Sequence, residues 1–273
     1  MTMSETEQKL IQADLPPAVP VLNTTPAPKG RPNRWLYVLI AIGVIVAALW
    51  AFNRPDVLGA RTTETISQPI TAASAEITLG NTVGRLEVSA NNSGKLIDGT
   101  LELGSNDRLE RELITRDGVQ IVRLEAVTKG VNISMSPLTS RNDLGWKIGL
   151  APNLPIKLRV KVGVGVGNLE LSELNVTDLT VNSGVGQMTV TLPASGKVTA
   201  RIEGGVGELS IIIPRGMQAQ IRASSGLGEV SVGGDFQRSG DVYTSSGYAS
   251  ASDRVDLEVD GGVGRITIEQ SSR

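Results

Sequence analysis

Through the C-terminal half of this 273-residue chain a Gly-Val-Gly tripeptide keeps returning, and a fixed period limits the possible folds more than any other feature. Copies stand at Gly165-Val166-Gly167, Gly184-Val185-Gly186, Gly205-Val206-Gly207, Gly226-Leu227-Gly228 and Gly262-Val263-Gly264, at intervals of 19, 21, 21 and 36 residues. Thr82-Val83-Gly84 is a degenerate earlier copy. After each copy apolar and polar residues alternate, as in Leu169-Glu170-Leu171, Leu209-Ser210-Ile211 and Ile266-Thr267-Ile268. A second alternating run follows in mid-repeat, for example Val198 to Ile202 and Val255 to Val259. Period-two alternation marks strands with one buried face. Turn formers such as Pro193-Ala194-Ser195-Gly196 and Pro214-Arg215-Gly216 separate the runs.

Each repeat therefore reads as strand, turn, strand, Gly turn, with the apolar residue between the glycines pointing inward at a corner. One repeat cannot bury its own apolar face, so the repeats must stack. The expected fold is all-β: a parallel β-solenoid of coils of about 21 residues, over residues 163–269. The glycines Gly165, Gly167, Gly184, Gly186, Gly205, Gly207, Gly226, Gly228, Gly262 and Gly264 are its expected structural turns. The 36-residue interval carries a Ser-, Gly- and Tyr-rich excess within 236–252, read as an inserted loop or irregular coil. Residues 76–162 form an irregular β segment, with a hairpin at Leu109–Thr115 and Val119–Val127 around Arg116-Asp117-Gly118. Residues 270–273 are a tail. The open sheet edges of such a stack are expected at Asn81–Val88 and Arg265–Glu269.

Upstream, Trp35 to Phe52 runs 18 residues without a charge. As a helix it spans roughly 27 Å, close to a hydrocarbon core of about 30 Å. Arg34, Trp35 and Tyr37 at one end and Trp50 and Arg54 at the other suit a membrane interface. The sequence thus predicts one transmembrane helix over 34–53. The polar stretch before it is too long for the n-region of a cleaved signal peptide. Lys29, Arg31 and Arg34 outnumber the positive charge after the span and place the N-terminus in the cytoplasm. The Pro-rich residues 1–33 then form a disordered cytoplasmic tail, residues 54–75 a stalk, and the β domain lies outside the cytoplasm.

The chain has neither Cys nor His, which removes thiolate sites, disulfides and the usual general base. A net charge of -2 offers no basic excess for nucleic acid. Gly163, Gly165 and Gly167 do not have dinucleotide-loop spacing. Asp256, Glu258 and Asp260 alternate on one strand and read as a solvated outward face rather than a Ca²⁺ site. Arg201, Glu203 and Glu208 read as mixed surface charge rather than a lyase site. No catalytic residue, cofactor or metal is expected.

Two stretches resemble a known family: Leu144-Gly145-Trp146-Lys147-Ile148-Gly149-Leu150 running into Asn153-Leu154-Pro155, and Gly163 through Gly186. They are similar to the toast-rack family of bacterial envelope proteins, to the C-terminal domain of LiaF-like cell-wall-antibiotic-response proteins, and to adhesin-like solenoids. The resemblance covers roughly Leu79 to Glu269. It implies a membrane-tethered β-solenoid in the bacterial envelope, without catalytic residues. The expected function is a non-enzymatic extracytoplasmic scaffold or binding protein, its partner an envelope polymer or membrane protein. The alternative is a LiaF-like accessory regulator of envelope-stress signalling; a third reading is a cell-surface carbohydrate-active enzyme.

Overall fold

The computed structural model describes residues 62–104, 107–128 and 144–271. They form an all-β domain around one 13-stranded, mostly parallel sheet. No helix among the described residues is long and apolar enough to cross a membrane. The Trp35–Phe52 run lies outside them, as do the tail, residues 54–61 of the stalk and the interface residues Arg34, Trp35, Tyr37, Trp50 and Arg54.

In chain order the strands are β1 (Thr62–Gln68), β2 (Ser74–Ala90), β3 (Ile97–Leu103), β4 (Asp107–Arg116), β5 (Val119–Thr128), β6 (Gly145–Leu150), β7 (Ile156–Glu170), β8 (Val176–Thr191), β9 (Lys197–Ile213), β10 (Gln218–Gly233), β11 (Phe236–Ser239), β12 (Val242–Ser245) and β13 (Arg254–Gln270). The central rack is β2-β7-β8-β9-β13-β10, every neighbouring pair parallel.

The glycine motifs correct the expected strand–turn–strand repeat. Each lies inside one continuous strand: β7 runs 15 residues straight through Gly163-Val164-Gly165. Laid out straight, such a strand would be about 50 Å long. Yet only Leu171 to Asn175 connect its end to the start of its parallel neighbour β8, a reach of about 18 Å at most. The strand must therefore fold back at its glycines, so that both ends arrive together. Contacts across the bend agree. A Cβ on Gly204 would lie 3.7 Å from the Leu209 side chain, and one on Gly261 would lie 2.5 Å from that of Ile266.

The two arms of each bent strand bury their alternate residues against each other. On β7 these are Ile156, Leu158, Val160 and Val162 before the bend and Leu169 after it. All belong to one continuous core that also holds Trp146. Val164, Val185, Val206 and Val263, between the glycines, are half-buried and stay outside that core, contrary to the inward corner expected.

Register also corrects the repeat interval. Gly165 pairs with Gly186, Gly186 with Gly207, and Gly84 with Gly165. The unit in β7 is thus Gly163-Val164-Gly165, two residues earlier than the sequence match, and its spacing to the next unit is 21, equal to the two intervals that follow.

At the N-terminal side β5 covers the first arm of β2 and β6 covers its second. The β4–β5 hairpin turns through Asp117 (φ 53°) and Gly118 (φ 76°), both left-handed, as a type I′ turn requires. At the other side the chain departs from simple winding: β13 inserts between β9 and β10. Both expected edges are therefore interior, since Asn81–Val88 lies in β2 and Arg265–Glu269 in β13. On the C-terminal side the sheet continues past β10 into β12 and ends at β11.

Candidate interaction surface

The bends stack into two columns of glycine. A Cβ on Gly186 would sit 1.9 Å from the carbonyl oxygen of Gly165, one on Gly207 1.9 Å from that of Gly186, and one on Gly264 1.8 Å from that of Gly207. The companion column behaves alike: a Cβ on Gly184 would lie 2.2 Å from the Gly163 oxygen, and one on Gly205 2.1 Å from that of Gly184. Backbone cannot yield as a side-chain tip can, so both positions are closed to every other residue. In the first column the backbone is also left-handed, as at Gly207 (φ 137°).

Of the other predicted glycines, Gly165 and Gly228 belong to the first column and Gly226 and Gly262 to the second. Gly167 stands apart on the straight arm, in register with Met188 of β8, whose thioether fills the space its missing side chain leaves.

The first arms present a polar outer face. Its charges form rows because the strands are in register. One row runs Lys157, Asp178, Thr199, Asp256 across β7, β8, β9 and β13; the next runs Arg159, Thr180, Arg201, Glu258; the third runs Lys161, Asn182, Glu203, Asp260. The face is cationic along β7 and anionic along β13. Arg201 donates to Glu258 at 2.6 Å and Lys161 to Glu125 at 3.0 Å, the latter pair reaching across Gly80. The Ser224 hydroxyl donates to Asp260 at 2.6 Å. Asp256, Glu258 and Asp260 stand at alternate positions of one strand, and among the described residues no group of three acidic side chains converges. Glu208 and Arg265, with Val206 and Val263, line a shallow open depression at the bend.

The Ser/Gly/Tyr-rich insertion is a folded cap. β11 and β12 form an antiparallel hairpin, and β12 pairs with β10 at Gln220–Arg222. The buried Ser245 hydroxyl substitutes for a further strand, accepting from the Ala219 N–H at 2.8 Å and donating to its carbonyl at 3.2 Å. The Tyr248 hydroxyl bonds to Asp256, and the Arg254 guanidinium lies 5.9 Å from the Tyr248 ring centre. Burial first, then the hydrogen bond to Asp256 and its negative charge, push the Tyr248 hydroxyl pKa up to about 12. The cap covers the first arm of β10. Along the second arm, Ser224–Gly233, the described strands pair with β10 only from the β13 side.

Residues 58–212 match the family model described as the N-terminal domain of toast_rack, DUF2154. This chain belongs to the toast-rack family. The expected family resemblance is thereby shown, and it extends N-terminally into the stalk. A candidate cell adhesion protein from Clostridium sporogenes is structurally similar to this toast-rack chain at TM-score 0.67 and 25% identity, over 78% of this chain and 100% of that one. A candidate adhesin from Bacteroides fragilis is similar at 14% identity and TM-score 0.31, over 77% and 97%. A search of curated proteins found no match.

The columns were legible as a glycine period. The Lys157-Arg159-Lys161 row was legible only as the outward positions of an alternating strand. Its lateral offset from the β13 acids required the strand order.

Proposed function

We propose that this toast-rack chain is a non-enzymatic envelope protein. One N-terminal helix over 34–53 anchors it, and the stacked strands form a β-solenoid held outside the cytoplasm as a binding or adhesive scaffold. The observation carrying this reading is the likeness to the C. sporogenes candidate cell adhesion protein, which spans the whole of that chain. The architecture supports it: backbone contacts close the stacked bends, and the outer face of the first arms is polar and exposed, as a binding platform on a scaffold should be.

The test is protease shaving of intact bacteria lacking an outer barrier, with a different tag at each terminus. The expected result is loss of the C-terminal tag and survival of the N-terminal one. Survival of the C-terminal tag with loss of the other would place the β domain in the cytoplasm and overturn both anchor orientation and adhesive role. Shaved and unshaved cells are then compared for binding to isolated cell-wall polymer and to cells of the same strain. Equal binding by the two would remove the binding role.

A further inference from the structure

We propose that the outer face of the first arms docks on the same face of a second copy of this chain, through a two-fold axis parallel to the strands and midway between β8 and β9. The inference rests on the envelope-scaffold reading for its biological setting, but the contact itself follows from the charge rows.

Rotation about an axis parallel to the strands preserves strand direction, so each row meets the same row of the second copy. With the axis between β8 and β9, β7 lies over β13 and β8 over β9. Lys157 then faces Asp256 of the second copy, Arg159 faces Glu258, and Lys161 faces Asp260. Between them Asp178 meets Thr199, Thr180 meets Arg201, and Asn182 meets Glu203, each a possible hydrogen bond to a charged group. By symmetry every pair occurs twice. Nowhere in these four strands does a like charge face a like charge.

Neighbouring axes fail this test. An axis on β8 places Arg159 over Arg201 of the second copy, and one on β9 places Asp178 over Asp256. An axis between β9 and β13 sets Glu203 over Asp260. An axis between β7 and β8 brings β5 over β13 and sets Glu125 over Asp260. Like charges in apposition oppose docking, so the electrostatics select one register. An isologous patch must be self-complementary about its axis, and this face is. The existing Arg201–Glu258 pair is retained: Arg159 of the second copy joins it as a second cation on one carboxylate.

Face-to-face sheets pack about 10 Å apart, within reach of opposed Lys or Arg and Asp or Glu side chains. The contact is polar, so its affinity is modest and strongly salt-dependent. Tethering many copies on a surface raises the effective strength.

The test is sedimentation of the full-length chain in non-ionic detergent. Self-association at low ionic strength is expected, with reversion to monomer at about 1 M salt, where the Debye length is about 3 Å. The variant Lys157→Glu/Arg159→Glu/Lys161→Glu is expected to weaken self-association at least about tenfold, as is Asp256→Lys/Glu258→Lys/Asp260→Lys. Mixing the two variants should restore association as a heterodimer, a rescue that misfolding cannot produce. A monomer at every salt concentration, or two variants that do not rescue each other, overturns the proposal. Neither result bears on the shaving experiment, so failure here is distinguishable from failure of the envelope reading.

Discussion

Replacing Gly207 with alanine tests whether stacking, rather than local turning, demands the glycines. The new Cβ would lie 1.9 Å from the Gly186 carbonyl oxygen. Carbon and carbonyl oxygen in ordinary close contact stand about 3.3 Å apart, so β9 must withdraw from β8 by more than about 1 Å at the bend. Ladder hydrogen bonds near 2.9 Å would then exceed their useful range over several residues. Losing two or three at about 1 kcal/mol each, plus about 1–2 kcal/mol for alanine in a left-handed conformation, totals about 4 kcal/mol. For a domain of this size that lowers Tm by roughly 8–16 °C. Two controls separate the terms. Gly216 is also left-handed (φ 93°), but nothing lies within 4 Å of its added Cβ. Gly216→Ala should therefore carry only the conformational cost, about 1–2 kcal/mol. Gly204 lacks a left-handed φ, and its nearest contact is 3.7 Å, so Gly204→Ala should be near neutral. The assay is thermal unfolding followed by far-ultraviolet circular dichroism. A Gly207→Ala loss no larger than that of Gly216→Ala would refute the stacking argument.

Three further outcomes follow from the same geometry. Gly165→Ala should cost several times more than Gly167→Ala only two residues away, because the first meets the Gly84 carbonyl at 1.8 Å and the second meets the movable end of Met188; chemical denaturation midpoints compare them. Ser245→Ala removes the hydroxyl that serves both Ala219 backbone groups and should cost about 1–3 kcal/mol, with faster amide exchange at Ala219 as the local readout. Tyr248, whose folded-state pKa rises from 10.0 to about 12, stabilises the protonated folded form; that contribution is complete below pH 10 and is lost as pH climbs toward 12. Tyr248→Phe should flatten the fall in stability across that window, and an unchanged pH profile would remove the Asp256 interaction from the account.

The legible part of the fold rests on residues whose pattern has a local cause. Leu158, Val160 and Val162 alternate with Lys157, Arg159 and Lys161 because successive side chains on a strand face opposite ways, and all six take the faces their parity predicts. The Asp117-Gly118 hairpin was equally local. The first Gly-Val-Gly was misassigned because Gly163-Val164-Gly165-Val166-Gly167 contains two overlapping copies of the motif. Only pairing with Gly84 and Gly186 distinguishes them. Glycine in isolation weakens a strand, so the motif by itself points to turns between strands; here the neighbouring repeat's carbonyls demand it within one.

Taken alone, the amino-acid order determined the coil length of about 21 residues and the buried parity of each arm, the first from the recurrence of the glycine motif and the second from residues acting on their near neighbours. Strand order was beyond its reach. β10 and β13 carry nearly the same pattern, Gly-Leu-Gly-Glu-Val-Ser-Val against Gly-Val-Gly-Arg-Ile-Thr-Ile, and either fits beside β9. The tertiary structure decided the matter: the β11–β12 hairpin pairs with the outer side of β10, and β13 takes the place between β9 and β10. That insertion puts Asp256, Glu258 and Asp260 three strands from Lys157, Arg159 and Lys161. The separation of charge across the outer face therefore arises from long-range backbone pairing, which leaves no trace in local periodicity.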